Sequence, residues 1–237
     1  LSENVVVVLN GGGGIEMESW LPDVKAVLMA WYPGQQGGTA ISEIITGKVS
    51  PSGKLPISIE ARLEDNPSYK HYYENVPRMR VPSINPYSRL EYREGIFMGY
   101  RGYEKNDVKP LYPFGYGLSY TSFEYTDLQI LQDGREYVVS FNVKNVGKVA
   151  GAEIAQVYVT DDECSVVRPE KELKGFDKVF LKPGETKRVS VRLGDEAFRF
   201  YDLNRHDFTV EPGSFTISIA SSSADIRLTG KLEVPEI

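Results

Sequence analysis

One cysteine, two histidines and two tryptophans in 237 residues leave little material for several kinds of chemistry. With Cys164 alone, no disulfide can close within the chain and the redox compartment stays open; the expected place for such a thiol is a core. His71 and His206 stand in no zinc-ligand spacing, so they are expected as surface or structural residues and no metal is expected. No Gly-x-Ser-x-Gly turn is present to support a serine hydrolase. Apolar runs stay short of the ~18 residues of a membrane span, and Leu1-Ser2-Glu3 lacks the basic stretch that opens a signal peptide. Asn66 is followed by proline, and no Asn-x-Ser/Thr acceptor occurs. A net charge of −6 lacks the basic footprint of nucleic-acid binding, so neither nucleic acid nor membrane is an expected partner.

What is present begins with two valine-rich runs, Asn4 to Leu9 and Lys25 to Trp31, which read as strands of a parallel sheet covered on both faces. A short helix is expected between them, over Ile15 to Leu21. Pro33-Gly34 stops the second run, and Gly37-Gly38-Thr39 opens a helix with Ala40, Ile41, Ile44 and Ile45 on one face, closed by Gly47. Pro51-Ser52-Gly53-Lys54 is a turn by composition, after which Leu55, Ile57 and Ile59 alternate as in a strand. Three strands and two helices cannot cover both faces of a sheet or close its edges, so the expectation is an α/β domain whose other strands lie elsewhere. Gly11-Gly12-Gly13-Gly14 suggests a phosphate loop only weakly. No Gly-Lys-Ser/Thr follows and Glu16 stands where a dinucleotide fingerprint needs glycine, so a tight connection is expected and no cofactor.

Ten of the 15 tyrosines and six of the 14 prolines lie between Asn66 and Tyr120. Such rings need burial while their hydroxyls need partners, which predicts an ordered, irregular arm over 66–121. Within it, Tyr92 to Tyr103 reads as extended, with Ile96, Met98 and Tyr100 on one side and Phe97, Gly99 and Arg101 on the other. From residue 122 onward seven alternating segments follow: 123–131, 136–144, 153–160, 173–181, 186–193, 214–220 and 226–234. Turn residues separate most of them, as in Asn145-Val146-Gly147, Lys182-Pro183-Gly184-Glu185 and Glu211-Pro212-Gly213. Seven short antiparallel strands predict a β-sandwich of the fibronectin type III kind over 122–237. Asp161-Asp162-Glu163 fits no metal loop and reads as a solvated turn.

Several of these stretches resemble glycoside hydrolase family 3, in its β-glucosidase branch. They are Gly34-Gln35-Gln36-Gly37-Gly38 running into Ser50-Pro51-Ser52-Gly53-Lys54-Leu55-Pro56, then Tyr92 to Arg101, then Pro113 to Phe123. Asn145-Val146-Gly147 with Gly151, Arg168 to Phe176 and Leu181 to Glu185 are similar to the family's C-terminal module. The resemblance implies that 1–65 is the C-terminal part of an α/β sandwich domain, joined by the arm to a fibronectin type III-like sandwich. It further implies a parent enzyme that removes a terminal sugar from a β-linked glucoside or oligosaccharide by a retaining mechanism. In the family the nucleophile is an aspartate on a barrel and the acid/base a glutamate upstream of the Val5 to Leu9 strand. Neither falls in this sequence, so no catalytic residue is expected here and the chain alone is expected to be inactive. Glu16, Glu18 and Glu43 are poor substitutes, because Glu16 and Glu18, two apart on a presumed helix, point in different directions. The barrel is expected in the same protein or as a second chain, and the open sheet edge makes self-association a further expectation.

Because carbohydrate sites use aromatics and charged hydrogen-bonding groups, Glu94, Tyr100 and Arg101 are the candidate substrate-binding residues. The competing reading of Glu94 and Arg101 is an ion pair. A second reading of the whole chain is a non-catalytic carbohydrate-binding or domain-packing module. It predicts that Tyr87, Tyr92, Tyr100 and Tyr103 are exposed and coplanar if they bind sugars, and buried if they pack. Two departures from the family are the four glycines, where a Gly-x-Pro-like turn is usual, and Gly102, where an aromatic usually stands.

Overall fold

A computed structural model of the chain describes residues 2–73 and 91–235. Tyr87 lies outside them. The chain forms two compact units, one from Leu1–Ile45 with Pro56–Phe114 and the other from Thr46–Leu55 with Gly115–Ile237.

In the first unit, strands β1 (Val6–Leu9) and β2 (Ala26–Met29) pair in parallel, Val6 opposite Ala26 and Leu9 opposite Met29. Helix α1 (Gly37–Ile45) follows, with Ile41 and Ile44 half-buried and Ala40 and Ile45 exposed. The expected helix over Ile15 to Leu21 is instead a turn followed by one 3-10 turn at Leu21–Asp23, where Pro22 takes a first-turn position. The expected strand from Leu55 to Ile59 is reduced to a single antiparallel bridge, Ile59 to Tyr112, because Pro56 has no N–H to give to a ladder. Helix α2 is Tyr69–Tyr73. Tyr92 to Tyr103 is not extended: a turn covers 93–96, and helix α3 (Tyr100–Lys105) takes the rest. Gly95 at φ +57° and Gly99 at φ +54° break the alternation with left-handed backbone.

Gly102 on α3 is buried. A Cβ there would collide with the Phe97 carbonyl oxygen and lie 2.6 Å from the Pro67 Cβ, so glycine is required by what surrounds it. Tyr103 is buried beside it, and Lys105 places its Nζ 3.6 Å from the centre of the Phe97 ring.

The second unit is the expected sandwich. Its strands are β3 (Phe123–Asp133), β4 (Glu136–Asn145), β5 (Gly151–Asp161), β6 (Glu172–Leu181), β7 (Thr186–Leu193), β8 (Phe200–Asp202), β9 (Asp207–Thr209), β10 (Gly213–Ser222) and β11 (Asp225–Val234). One sheet has the order β11-β10-β5-β6, the other β3-β4-β7, and β8 pairs with β9 in a short two-stranded ribbon. Alternate residues of the facing sheets make the core, among them Val139, Phe141, Val143, Leu181, Phe215 and Ile217. Asn145 is fully buried with its amide satisfied: Nδ2 donates to the carbonyls of Val149 and Leu181, and Oδ1 accepts from Thr121 and the Gly147 N–H.

The Ser-Pro-Ser-Gly-Lys segment belongs to this unit. Lys54 Nζ lies 2.9 Å from Glu153 Oε1, both side chains largely buried, and donates to the Gly117 carbonyl at 3.4 Å. The Leu55 N–H donates to Tyr116 O, and Ser50 Oγ accepts from the Tyr120 N–H. Cys164 is exposed rather than in the core, because the 161–167 connection lies at the surface of the sandwich and its apolar neighbours Val166 and Val167 are exposed too.

Candidate functional site

Open parallel sheets place ligands outside the carboxyl ends of their strands, where the following turns converge. In the first unit that edge is built from Asn10 to Gly14 after β1 and from Ala30 to Gly34 after β2. The Ala30 N–H still donates to Leu9 O at 2.9 Å. Trp31 takes φ +53°, a left-handed conformation that a bulky aromatic rarely adopts. Tyr32, next in sequence, is 80% exposed. An added Cβ on Gly12 would come within 2.9 Å of the Tyr32 ring and hydroxyl, so the bare glycine turn is what the ring rests against. On the other side of the turn, a Gly14 Cβ would lie 3.7 Å from the Glu60 carboxylate. Glu60 in turn accepts a 3.3 Å hydrogen bond from the Tyr103 hydroxyl. Burial, together with the Glu60 charge and that hydrogen bond, pushes the Tyr103 phenol well above its ordinary value and keeps it protonated.

The residues expected from sequence lie in the arm. The Tyr100 ring stacks on Phe114 at 4.9 Å, and the Arg101 guanidinium carbon stands 6.0 Å from the centre of the Tyr100 ring. Glu94 accepts from Ser68 Oγ at 3.2 Å through one oxygen, while its other oxygen is buried without a hydrogen bond. Of the tyrosines proposed as a platform, Tyr92 is 71% exposed, Tyr100 is half-buried and Tyr103 is buried. The described rings therefore do not form a shared exposed plane. Glu16 and Glu18 are exposed around a turn rather than on a helix.

Sequence reasoning passed over Tyr32, Trp31 and Glu60. The positive φ of Trp31 has no signature in residue type. The glycine run was the available signal, and its partner, the Tyr32 ring, is distant in sequence. Among the described residues no group of three or more His, Cys, Asp or Glu is placed to hold a metal. Asp161 and Asp162 are held by cations: the side chains of Asp161 and Arg168 form a buried pair at 2.8 Å, and Asp162 pairs with Lys231 at 3.0 Å. No described helix is long and apolar enough to cross a membrane.

Residues 1–120 match the model of the glycosyl hydrolase family 3 C-terminal domain, and 153–223 that of the fibronectin type III-like domain. The chain belongs to glycosyl hydrolase family 3. It is 46% identical to thermostable beta-glucosidase B of Acetivibrio thermocellus over 99% of its own length and 30% of that protein. It is 40% identical to an exo-alpha-(1->6)-L-arabinopyranosidase of Bifidobacterium breve, over 96% of the chain and 29% of the relative. The crystal structure of a beta-glucosidase from Kluyveromyces marxianus in complex with glucose superimposes with a TM-score of 0.88 at 38% identity, covering 98% of this chain and 27% of that one. The chain thus spans about 30% of the length of the relatives it matches.

Proposed function

We propose that the protein carrying this chain is a retaining β-glucosidase that hydrolyses terminal, non-reducing O-glycosidic bonds. The observation that carries this reading is the 46% identity to a beta-glucosidase across nearly the whole chain. Retaining hydrolysis needs one carboxylate to attack the anomeric carbon and a second carboxyl, about 5–5.5 Å away, to protonate the leaving oxygen. We assign both to parts of the protein outside these 237 residues. At the sheet edge described above, Glu60 accepts a hydrogen bond from Tyr103 rather than standing as half of such a pair. The role of the chain is to complete the α/β domain and carry the sandwich, with the division 1–65, 66–121 and 122–237 as our domain assignment.

The half-exposed valines of β1 support a partner that covers them, the catalytic barrel of the same protein or of a second chain; Val6 is 46% exposed. A second copy on the same open edge is the competing occupant. The substrate is a β-linked glucoside, and the arabinopyranosidase relative names the comparison to make. The full-length protein is expected to release 4-nitrophenol from the β-D-glucoside faster than from the α-L-arabinopyranoside, and the reverse order would overturn the sugar assignment. These 237 residues alone are expected to release none. Turnover that keeps constant specific activity through repeated purification would sink the placement of the carboxylates.

A further inference from the structure

We propose that Tyr32 is an aromatic platform on which a pyranose ring of the substrate stacks, seated by the Gly11–Gly14 turn; this rests on the glycosidase reading above. Three observations converge. Tyr32 is 80% exposed, among the most exposed large aromatic side chains of the described residues, and it stands at the carboxyl edge of the parallel strands. Its ring is positioned rather than loose. The left-handed Trp31 before it sets the direction of the chain, Gly34 at φ +69° turns the chain again two residues later, and Gly12 leaves the space in which the hydroxyl edge rests. Polar groups suited to sugar hydroxyls adjoin the same turn, since the Glu60 carboxylate lies beside Gly14 and is oriented by the Tyr103 hydroxyl. A pyranose offers an apolar face of C–H groups and a rim of hydroxyls. One ring face with a carboxylate beside the same turn matches both, whereas a purely apolar ligand would offer that carboxylate no hydrogen bond beyond the one from Tyr103.

The role of the glycine run follows. Any side chain at position 12 would lift the ring, so a turn that looks like an anion cradle is instead the floor beneath an aromatic side chain.

The test uses the full-length protein with two readouts, calorimetric binding of thiocellobiose, a non-hydrolysable disaccharide, and kinetics on cellobiose. Tyr32→Ala is expected to weaken thiocellobiose binding about tenfold, with the loss falling on KM more than on kcat and the melting midpoint unmoved. Tyr32→Trp should retain binding, and Gly12→Ala should lose part of it by displacing the ring. Unchanged thiocellobiose binding in Tyr32→Ala overturns the proposal. So does a fall of several degrees in melting midpoint with unchanged binding, which would make Tyr32 a packing residue covered by the rest of the protein. A wild-type protein that binds thiocellobiose but hydrolyses no glycoside would sink the enzymatic reading while leaving the platform standing.

Discussion

The two units of this chain bury their apolar residues on different scales. In the sandwich, Val139, Phe141, Val143, Leu181 and Ile217 are fully buried, β7 alternates between core and solvent toward its end, and β5 and β10 are buried along most of their length. In the α/β unit the fully covered apolar side chains are few, Met17, Ile59 and Tyr103 among the described residues, and both faces of β1 remain partly open. The contrast is physical rather than compositional, because β1 is as apolar as any sandwich strand. Antiparallel strands close a core with their sequence neighbours, whereas a parallel sheet needs helices and further strands on both faces. The sandwich carries its stability within itself. In the described α/β unit, β1 keeps its apolar residues partly exposed.

The sharpest way to break that comparison is a pair of core truncations. Phe141→Ala in the sandwich is expected to cost about 4 kcal/mol, against about 1 kcal/mol for Val7→Ala in β1, as read by urea melts of this chain. Equal costs would mean that the α/β unit has a sealed core of its own. Next in size is the pair Lys54 and Glu153. Removing one partner leaves a largely buried charge, so Lys54→Met should cost about 3 kcal/mol and Lys54→Met with Glu153→Leu much less, a difference that a double-mutant cycle reads directly. The loss should appear in hydrogen-exchange protection of β5 and not of β1; loss confined to β1 would remove Lys54 from the sandwich.

Asn145→Ala deletes four hydrogen bonds and takes a donor from the carbonyl of the buried Leu181, with an expected cost of about 2 kcal/mol in the same melts. The smallest expected effect is on pH dependence. Burial raises the Asp162 carboxyl, but hydrogen bonds from Lys231, Thr216 and Ser214 outweigh it and hold the group below the usual carboxylate range. A depressed folded value means that its contribution is present above the unfolded value of about 4 and is lost as pH falls through the folded one. Melting midpoints measured from pH 6 to pH 2.5 should therefore fall more steeply for the wild type than for Asp162→Asn. The difference should stay under about 0.5 kcal/mol, since the site is solvent-screened. Parallel curves would remove Asp162 from the acid response.

How far the fold could be read from residues alone differs between the units in the same way. The seven strands of the two facing sheets were legible, because Tyr137, Val139, Phe141 and Val143 alternate and Gly147, Gly184 and Gly213 punctuate; the short pair β8 and β9 was not expected. The two parallel strands and α1 were legible from apolar runs and from Gly34 and Gly47. Tyr92 to Tyr103 was not, since its aromatic alternation imitates a strand while Gly95 and Gly99, both in left-handed conformations, turn it into a helix entry. The candidate site was the least legible part. It depends on Tyr32 meeting Gly12 and Tyr103 meeting Glu60, contacts between residues 20 or more positions apart that no local pattern encodes.

Composition and periodicity by themselves determined the absence of an internal disulfide, the seven strands of the two facing sheets and the parallel pair, while the Gly-Gln-Gln and Ser-Pro-Ser-Gly-Lys-Leu-Pro stretches carried the resemblance to the family. The periodic properties are written in spacing, and spacing is local. Tertiary structure alone decided that Lys54 belongs to the sandwich as a buried ion pair, that Gly102 is glycine because Pro67 and the Phe97 carbonyl fill its space, and that Tyr32 stands exposed over a bare turn. Each of these depends on which surfaces meet after the chain has folded, and a meeting of distant surfaces has no period to read.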